Sequence, residues 1–312
     1  MNHSHNKGLE NIGYNTGTLF DIGVMGMKLS TGMLVTRYSY EHDIVFRIKE
    51  ILNNQVILHG EDLRLEADAP ADDLRVLKDD DLRKREEEMK EKEEYSYRLF
   101  RQDYQLLKNK KNLEDKKDLP RNIQRFQIPV KVLHIDGDRL YLKKCIELYK
   151  KLGLQVHGVF MEESEMALYI KELLEKVQPD VLVITGHDSY SEAKGGHKDI
   201  KAYRNSRFFA EAVRIARTHT ANLDQLVIFA GACQSHFESL IRAGANFASS
   251  PERINIHALD PVYVVAKIAY TSFMDKINVY DVISNTFTGE KGLGGMETRG
   301  LYRTGLPYME NK

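Results

Sequence analysis

The amino-acid sequence predicts an α/β protein: a doubly wound, mainly parallel sheet, preceded by a small β-barrel and a charged helical linker. Three observations predict it. After Pro129, apolar runs and helical patterns alternate, as strand–helix units of a parallel sheet do. Two of those runs share one construction, an apolar block, a tight small-residue turn and then a reactive side chain: Val181-Leu182-Val183-Ile184 leads into Thr185-Gly186-His187-Asp188, and Leu226-Val227-Ile228-Phe229-Ala230 leads into Gly231-Ala232-Cys233-Gln234-Ser235. Before Pro129 the pattern is different, with short alternating runs and then a stretch dominated by charge.

Composition sets limits before any motif is read. The 312 residues suffice for a large core, and 42% apolar with 29% charged residues is ordinary for a soluble chain. A formal charge of -1 gives no electrostatic footprint for nucleic acid, so none is expected as a partner. No apolar run approaches the roughly 18 residues of a membrane span, and the first residues carry no signal-peptide core, so no membrane partner is expected either. Two cysteines, Cys145 and Cys233, argue for a reducing compartment rather than a disulfide framework, although one bridge between them is compatible with the sequence.

Residues 1–30, rich in Gly, Asn and Ser, read as a mobile tail, with Met25 and Met27 as alternative starts. Residues 31–78 hold Leu34-Val35-Thr36-Arg37-Tyr38, Ile44-Val45-Phe46-Arg47-Ile48, Val56-Ile57-Leu58 and Leu63-Arg64-Leu65, separated by turn signals such as His59-Gly60. Closing these strands into an SH3-like barrel removes exposed edges, and a docking or structural module is the expected role. Residues 79–120 alternate runs of both charges, with apolar residues too sparse for a core helix. They read as a solvated linking helix, or as one that pairs with a partner.

Residues 121–312 form the α/β domain. Strands are expected over 130–135, 156–160, the two motif runs and 254–257, and helices over 140–152, 162–177, 205–218, 237–243 and 261–270. The Gly-rich stretch from Gly289 to Gly300 reads as an active-site loop or as loop punctuation.

His187 and Cys233 then stand beyond the carboxyl ends of two strands of one sheet, where open α/β sheets hold their ligands. A thiolate is the nucleophilic form of cysteine, and a neighbouring imidazole favours it and shuttles the proton. Amides at Cys233 and at the His187 turn, Gly186 and Asp188, point into the same cleft, and Ala232 leaves room for a substrate backbone. Other readings stay open. His187, Asp188 and His197 are conceivable metal ligands, but no tight ligand pair or CxxC accompanies them, and no metal or organic cofactor is expected. Cys145 reads as core. His236 is an alternative base at a helix start, and His257 and Asp260 could line the cleft or, for Asp260, cap a helix.

The separation of 46 residues (233 − 187) is near the roughly 50 between His and Cys in caspases, whose nucleophile follows an Ala. The order of apolar block, His turn, apolar block and Ala-Cys resembles the caspase, gingipain and clostripain clan, where His follows the third strand and Cys the fourth. The resemblance implies a caspase-like fold, Cys233 as nucleophile and His187 as the proton-transferring residue. The sequence departs from the clan at Asp188, where a Gly usually follows the His. The chain is more closely similar to YabG-type sporulation-specific peptidases, through residues 35–48, Lys131-Val132-Leu133-His134-Ile135-Asp136-Gly137-Asp138, and 184–190, 226–250, 256–262 and 292–300.

That likeness implies a cysteine endopeptidase acting on spore coat proteins in the mother-cell cytoplasm, at the forming coat. It also makes Asp136, with Asp138 behind it, the candidate pairing group for a substrate Arg or Lys. Asp136-Gly137-Asp138 reads equally as a turn that caps the next helix. Two rivals remain, a non-catalytic coat-assembly protein and a phosphate-binding hydrolase using Asp136 and Asp138; the second lacks a Gly-rich phosphate loop.

Overall fold

The structure, a computed structural model, describes residues 29–53, 55–118 and 126–305. The expected tail, with Met25 and Met27, lies outside the described residues except for Leu29 and Ser30, and so does the end of the linker at Pro120. The described residues form two compact units. One holds 29–58 and 68–76, and the other holds His59–Ala67 and the chain from Leu77 onward.

The first unit is built on β1 (Leu34–Arg37), β2 (Phe46–Leu52), β3 (Gln55–Gly60), β4 (Glu66–Pro70) and β5 (Leu74–Val76), in the sheet order β4-β3-β2-β1-β5. In β2, Phe46 and Ile48 are buried and Arg47 and Lys49 are more exposed, the alternation a sheet with one covered face requires, and the phase then shifts so that Glu50 is exposed and Ile51 buried. Val35, Val56 and Leu58 complete its core. Asp73 fastens the loop after β1, accepting from Arg37 Nε at 2.8 Å and from the Ser39 amide at 2.8 Å. One expectation needs correction. Leu63-Arg64-Leu65 is not a strand of this sheet, and β4 and β5 follow it instead. Ala, Asp and Pro make Glu66–Pro70 a poor strand by propensity, and its place beside β3 decides its conformation.

The second unit begins with α1 (Asp79–Asp118), one helix of 40 residues. It is not solvated throughout: Ser96 and Phe100 are buried, with the Phe100 ring 5.7 Å from Tyr263 and the Tyr104 ring 4.3 Å from Tyr270. Then come β6 (Phe126–Ile128), β7 (Lys131–Asp136), α2 (Arg139–Lys151), β8 (Gln155–Phe160), α3 (Met166–Val177), β9 (Val181–Thr185), α4 (Ser206–His219), β10 (Val227–Ala230), α5 (Phe237–Ala243), β11 (Phe247–Ser249) and α6 (Asp260–Tyr270). The described residues end with β12 (Lys276–Ile277), α7 (Val279–Ile283), β13 (Leu293–Gly295), β14 (Thr298–Arg299) and β15 (Arg303–Gly305). The central sheet runs β13-β11-β10-β9-β7-β8. Its strands are parallel from β8 to β11 and β13 is antiparallel at the edge, so the fold is α/β with a mixed sheet.

One face of this sheet, through Leu133, Ile135, Leu182, Ile184, Ile228 and Ala230, packs on α3, α4 and α5 in a single apolar cluster. Strand alternation turns His134, Asp136 and Thr185 to the other face, the side of α2, where Tyr149 of that helix meets His134.

Residues 254–257 are not a strand of the sheet. The strand beside β10 is β11, in a stretch of small residues that propensity passes over; its neighbour Asn246 holds the Ile228 amide at 2.9 Å through its side chain. Residues 162–165 precede α3 as a turn rather than opening it, and the turn places Glu163 inside the unit. Within the Gly-rich stretch, Leu293–Gly295 is an edge strand. A side chain at Gly295 would lie 2.5 Å from the Asn246 carbonyl oxygen.

Candidate functional site

β9 and β10 are neighbours in parallel register, Ile184 beside Ala230. His187 and Cys233 each stand three positions beyond that pair, so both turns leave the same edge of the sheet. Both turns need small residues. A Cβ on Gly186 would sit 2.3 Å from Glu163 Oε1, and one on Gly231, where φ is +112°, would sit 2.4 Å from Ser249 Oγ.

The two turns are tied together by the side chain of Asp188. It accepts from the Ser189 amide at 2.9 Å, the Asn205 amide at 2.7 Å, Ser206 Oγ, and Ser235 Oγ at 2.9 Å; Ser235 Oγ in turn accepts from the Ala232 amide at 2.9 Å. Burial pushes the Asp188 carboxyl up to about 6, although these donors favour its charge. The side chain is committed to the loops, while the Asp188 main-chain amide points elsewhere, to the Arg64 carbonyl oxygen at 3.3 Å. The Cys233 amide reaches the same oxygen at 3.1 Å. The Asp188 side chain thus leaves its own amide facing the same oxygen as the Cys233 amide.

Cys233 is wholly buried. Its Sγ accepts from the Ile256 amide at 3.2 Å and lies 3.5 Å from the Ile256 carbonyl oxygen. Burial pushes the thiol well up. His187 is buried as well, its ring stacked on His59 at 3.6 Å and 5.4 Å from Tyr141. Its Nε2 is 3.5 Å from Asp138 Oδ2, and its amide donates to Glu163 Oε1 at 2.8 Å. Burial and then His59 pull the imidazole down to about 3, against Asp138. It is neutral, the form in which an imidazole accepts a proton.

Asp136 and Asp138 part company. Asp138 caps α2, accepting from the Leu140 amide at 2.7 Å and the Tyr141 amide at 2.9 Å, and faces His187 and His59. Burial works against its charge, but His59 and His187 hold its carboxyl well below the usual range. Asp136, at the end of β7 and without exposure, pairs with Arg64 Nη1 at 2.9 Å and stands 3.3 Å from His134 Nε2. Burial pushes its carboxyl up, and Arg64 with His134 outweighs burial, leaving it below the usual range.

The remaining residues singled out in the sequence fall outside this group or support it. His197 stacks on Tyr190, 4.2 Å between centroids, and His236 caps α5 through Nδ1. Asp260 is buried, pushed up to about 6 by burial, and holds the Phe287 amide at 2.7 Å. His257 stacks on Phe287, and Cys145 lies in the core with Arg64 Nη2 3.6 Å from its sulfur. Both cysteines are free.

Four residues near the turns were not singled out: His59, Arg64, Tyr141 and Glu163. His59 reads as part of a turn and Arg64 as the outward position of a strand, so neither carries a local signal. Donor atoms of His59, Asp138 and His187 lie within 4.8 Å of one another, as do those of His134, Asp136 and Cys145. Each set has the ligand chemistry for a cation, but the second is already occupied by the Arg64 guanidinium. Chemically, the site offers a buried thiol, a neutral imidazole and two converging amides that can hold an oxyanion, beside a carboxylate that takes a guanidinium.

Comparison with known proteins gives the reaction class, that of a peptidase, and names no catalytic residue. The family description "YabG peptidase U57" matches residues 30–307. The sporulation-specific protease YabG of Bacillus subtilis (strain 168) is 53% identical over 290 residues, which cover 91% of this chain and 100% of that protein. No solved structure matches the chain.

Proposed function

The chain belongs to the YabG peptidase family, and from that membership we propose that it is a cysteine endopeptidase of caspase-like fold. Cys233 attacks the scissile carbonyl, and the Cys233 and Asp188 amides hold the oxyanion. His187 protonates the leaving amine and then activates water for hydrolysis of the thioester. Asp138 and Glu163 orient the imidazole and its turn. Asp136 takes a basic side chain, so cleavage follows Arg, or less readily Lys, which lacks the planar fork that matches a carboxylate.

The observation that carries the reading is the convergence of the Asp188 and Cys233 amides on one carbonyl oxygen, from turns that also bear an imidazole and a thiol. The buried, uncharged thiol belongs to a cleft already filled by the chain around Arg64. Of the substrates, spore coat proteins of the mother-cell cytoplasm fit the family. The five-stranded unit, in this reading a small SH3-like barrel, and the exposed part of α1 would serve docking. Among the described residues no helix is long and apolar enough to cross a membrane.

The test is hydrolysis of matched peptides carrying Arg, Lys or Glu before the scissile bond, with and without a thiol alkylator. Cleavage after Arg that alkylation stops supports the proposal. Cleavage indifferent to both alkylation and the basic residue would discard it.

A further inference from the structure

The oxygen held by the Cys233 and Asp188 amides belongs to the chain itself. Residues 62–66, the connection between β3 and β4, lie along the site and turn tightly at Arg64, where the Leu65 amide donates to Leu63 O at 2.8 Å. The Arg64 amide donates to Ile256 O at 3.4 Å, the Ala258 amide donates to Asp62 O at 3.0 Å, and Leu63 pairs with His257 as an antiparallel bridge. These main-chain bonds, with the one bridge at Leu63, hold the segment to residues 256–258 as backbone pairing holds a bound peptide. Beyond Arg64 the path continues past the other turn, where Leu65 bridges Asp188 and the Glu66 amide donates to Asp188 O at 3.4 Å. Tyr141 Oη fixes the approach by donating to Leu63 O at 2.7 Å.

Side chain and main chain of Arg64 then meet separate parts of the site. The guanidinium is buried on Asp136, with Nη2 also donating to Ala258 O at 3.0 Å, while the carbonyl oxygen takes both amides. We propose that the Arg64–Leu65 bond is the enzyme's own substrate, cut in cis by Cys233. This rests on the cysteine-peptidase reading above and extends it to a defined bond in the same chain.

A buried ion pair that merely fastens a hairpin would not need the carbonyl aimed at two amides beside a thiol, and such pairs are weak devices for stability. The step balances without any further reagent than water. The Cys233 sulfur bonds to the Arg64 carbonyl carbon as its proton passes to His187. The bond to the Leu65 nitrogen breaks, and that nitrogen takes the proton. Water then hydrolyses the thioester, leaving a carboxylate on Arg64, a free amine on Leu65 and the thiol restored. Cutting divides the chain into 1–64 and 65–312, and severs the segment that fills the cleft.

The experiment uses the purified full chain and Cys233→Ala, both checked for folding by circular dichroism. They are incubated at two concentrations tenfold apart, followed by intact-mass measurement and N-terminal sequencing, with hydrolysis of an added arginyl peptide read in parallel. The expected result is a new N-terminus at Leu65 in the native chain only, formed with a rate constant unchanged by dilution. If the native chain hydrolyses the peptide in a Cys233-dependent way while the Arg64–Leu65 bond stays whole, this inference falls and the peptidase reading stands. A rate that drops tenfold on dilution overturns cutting in cis. If Cys233 is needed for neither bond, both readings fall together.

Discussion

Arg64 Nη1 lies 2.9 Å from Asp136, and neither side chain has any exposure to solvent. Burial opposes the guanidinium charge, yet Asp136 holds the Arg64 pKa above its ordinary value. The pair therefore exists only as a pair, and removing one member leaves a buried charge with no counterion.

Asp136→Asn is accordingly expected to destabilise the fold by about 3–5 kcal/mol. In the protein that still folds, preference for Arg over Glu peptides should collapse. Urea denaturation reads the first effect and the ratio of kcat/KM values reads the second. Unchanged stability together with unchanged preference would remove Asp136 from the site.

Asp188 gives a pH dependence of definite sign. Its carboxyl rises from 3.8 to about 6 in the fold, so between those values the folded chain holds more protons than the unfolded one. That contribution to stability is complete below about pH 4 and is lost as pH rises to 6. Asp188→Asn carries no such titration. Unfolding free energies at pH 4 and pH 7 should therefore show the variant gaining on the native chain by on the order of 3 kcal/mol at the higher pH. A difference constant with pH contradicts the assignment.

Gly186→Ala places a methyl 2.3 Å from Glu163 Oε1, a contact that must displace the carboxylate holding the His187 amide. A loss of about 1–3 kcal/mol in stability is expected, with a fall in kcat larger than any change in KM. Thermal unfolding and steady-state kinetics check it. A variant with native kinetics would mean that the turn tolerates movement.

Phe100→Ala tests the seating of α1. Phe100 is 2% exposed and faces Tyr263 of α6, so its removal should cost about 3–5 kcal/mol. Hydrogen exchange of the helix should then speed up around Phe100. Exchange unchanged there would show that α1 holds itself.

The sequence made some of this architecture plain and hid the rest for physical reasons. β9 and β10 are buried on both faces, so continuous apolar runs and terminal small residues announce them, and with them the edge that bears His187 and Cys233. β11 is made of Phe, Ala and Ser, and its place is set by the strand beside it rather than by propensity. Arg64 between two leucines reads as an outward residue of a strand. Only tertiary structure, which brings Asp136 from 72 positions away, turns it inward. Glu163 was similarly hidden, because an expected helix start conceals a turn whose carboxylate supports a distant amide. Asp188 was legible as a departure from the clan's Gly, but whether its side chain or its amide faces the cleft is decided by Ser206 and Ser235.

The central claim is that Cys233, not Cys145, is the nucleophile. It is tested most directly by treating the active protein with a peptidyl-arginine reagent that alkylates the attacking thiol, followed by peptide mapping. A stoichiometric adduct on Cys233, none on Cys145 and loss of cleavage in parallel is the predicted result. Loss of cleavage with Cys233 unmodified, or full cleavage by Cys233→Ala, would contradict it.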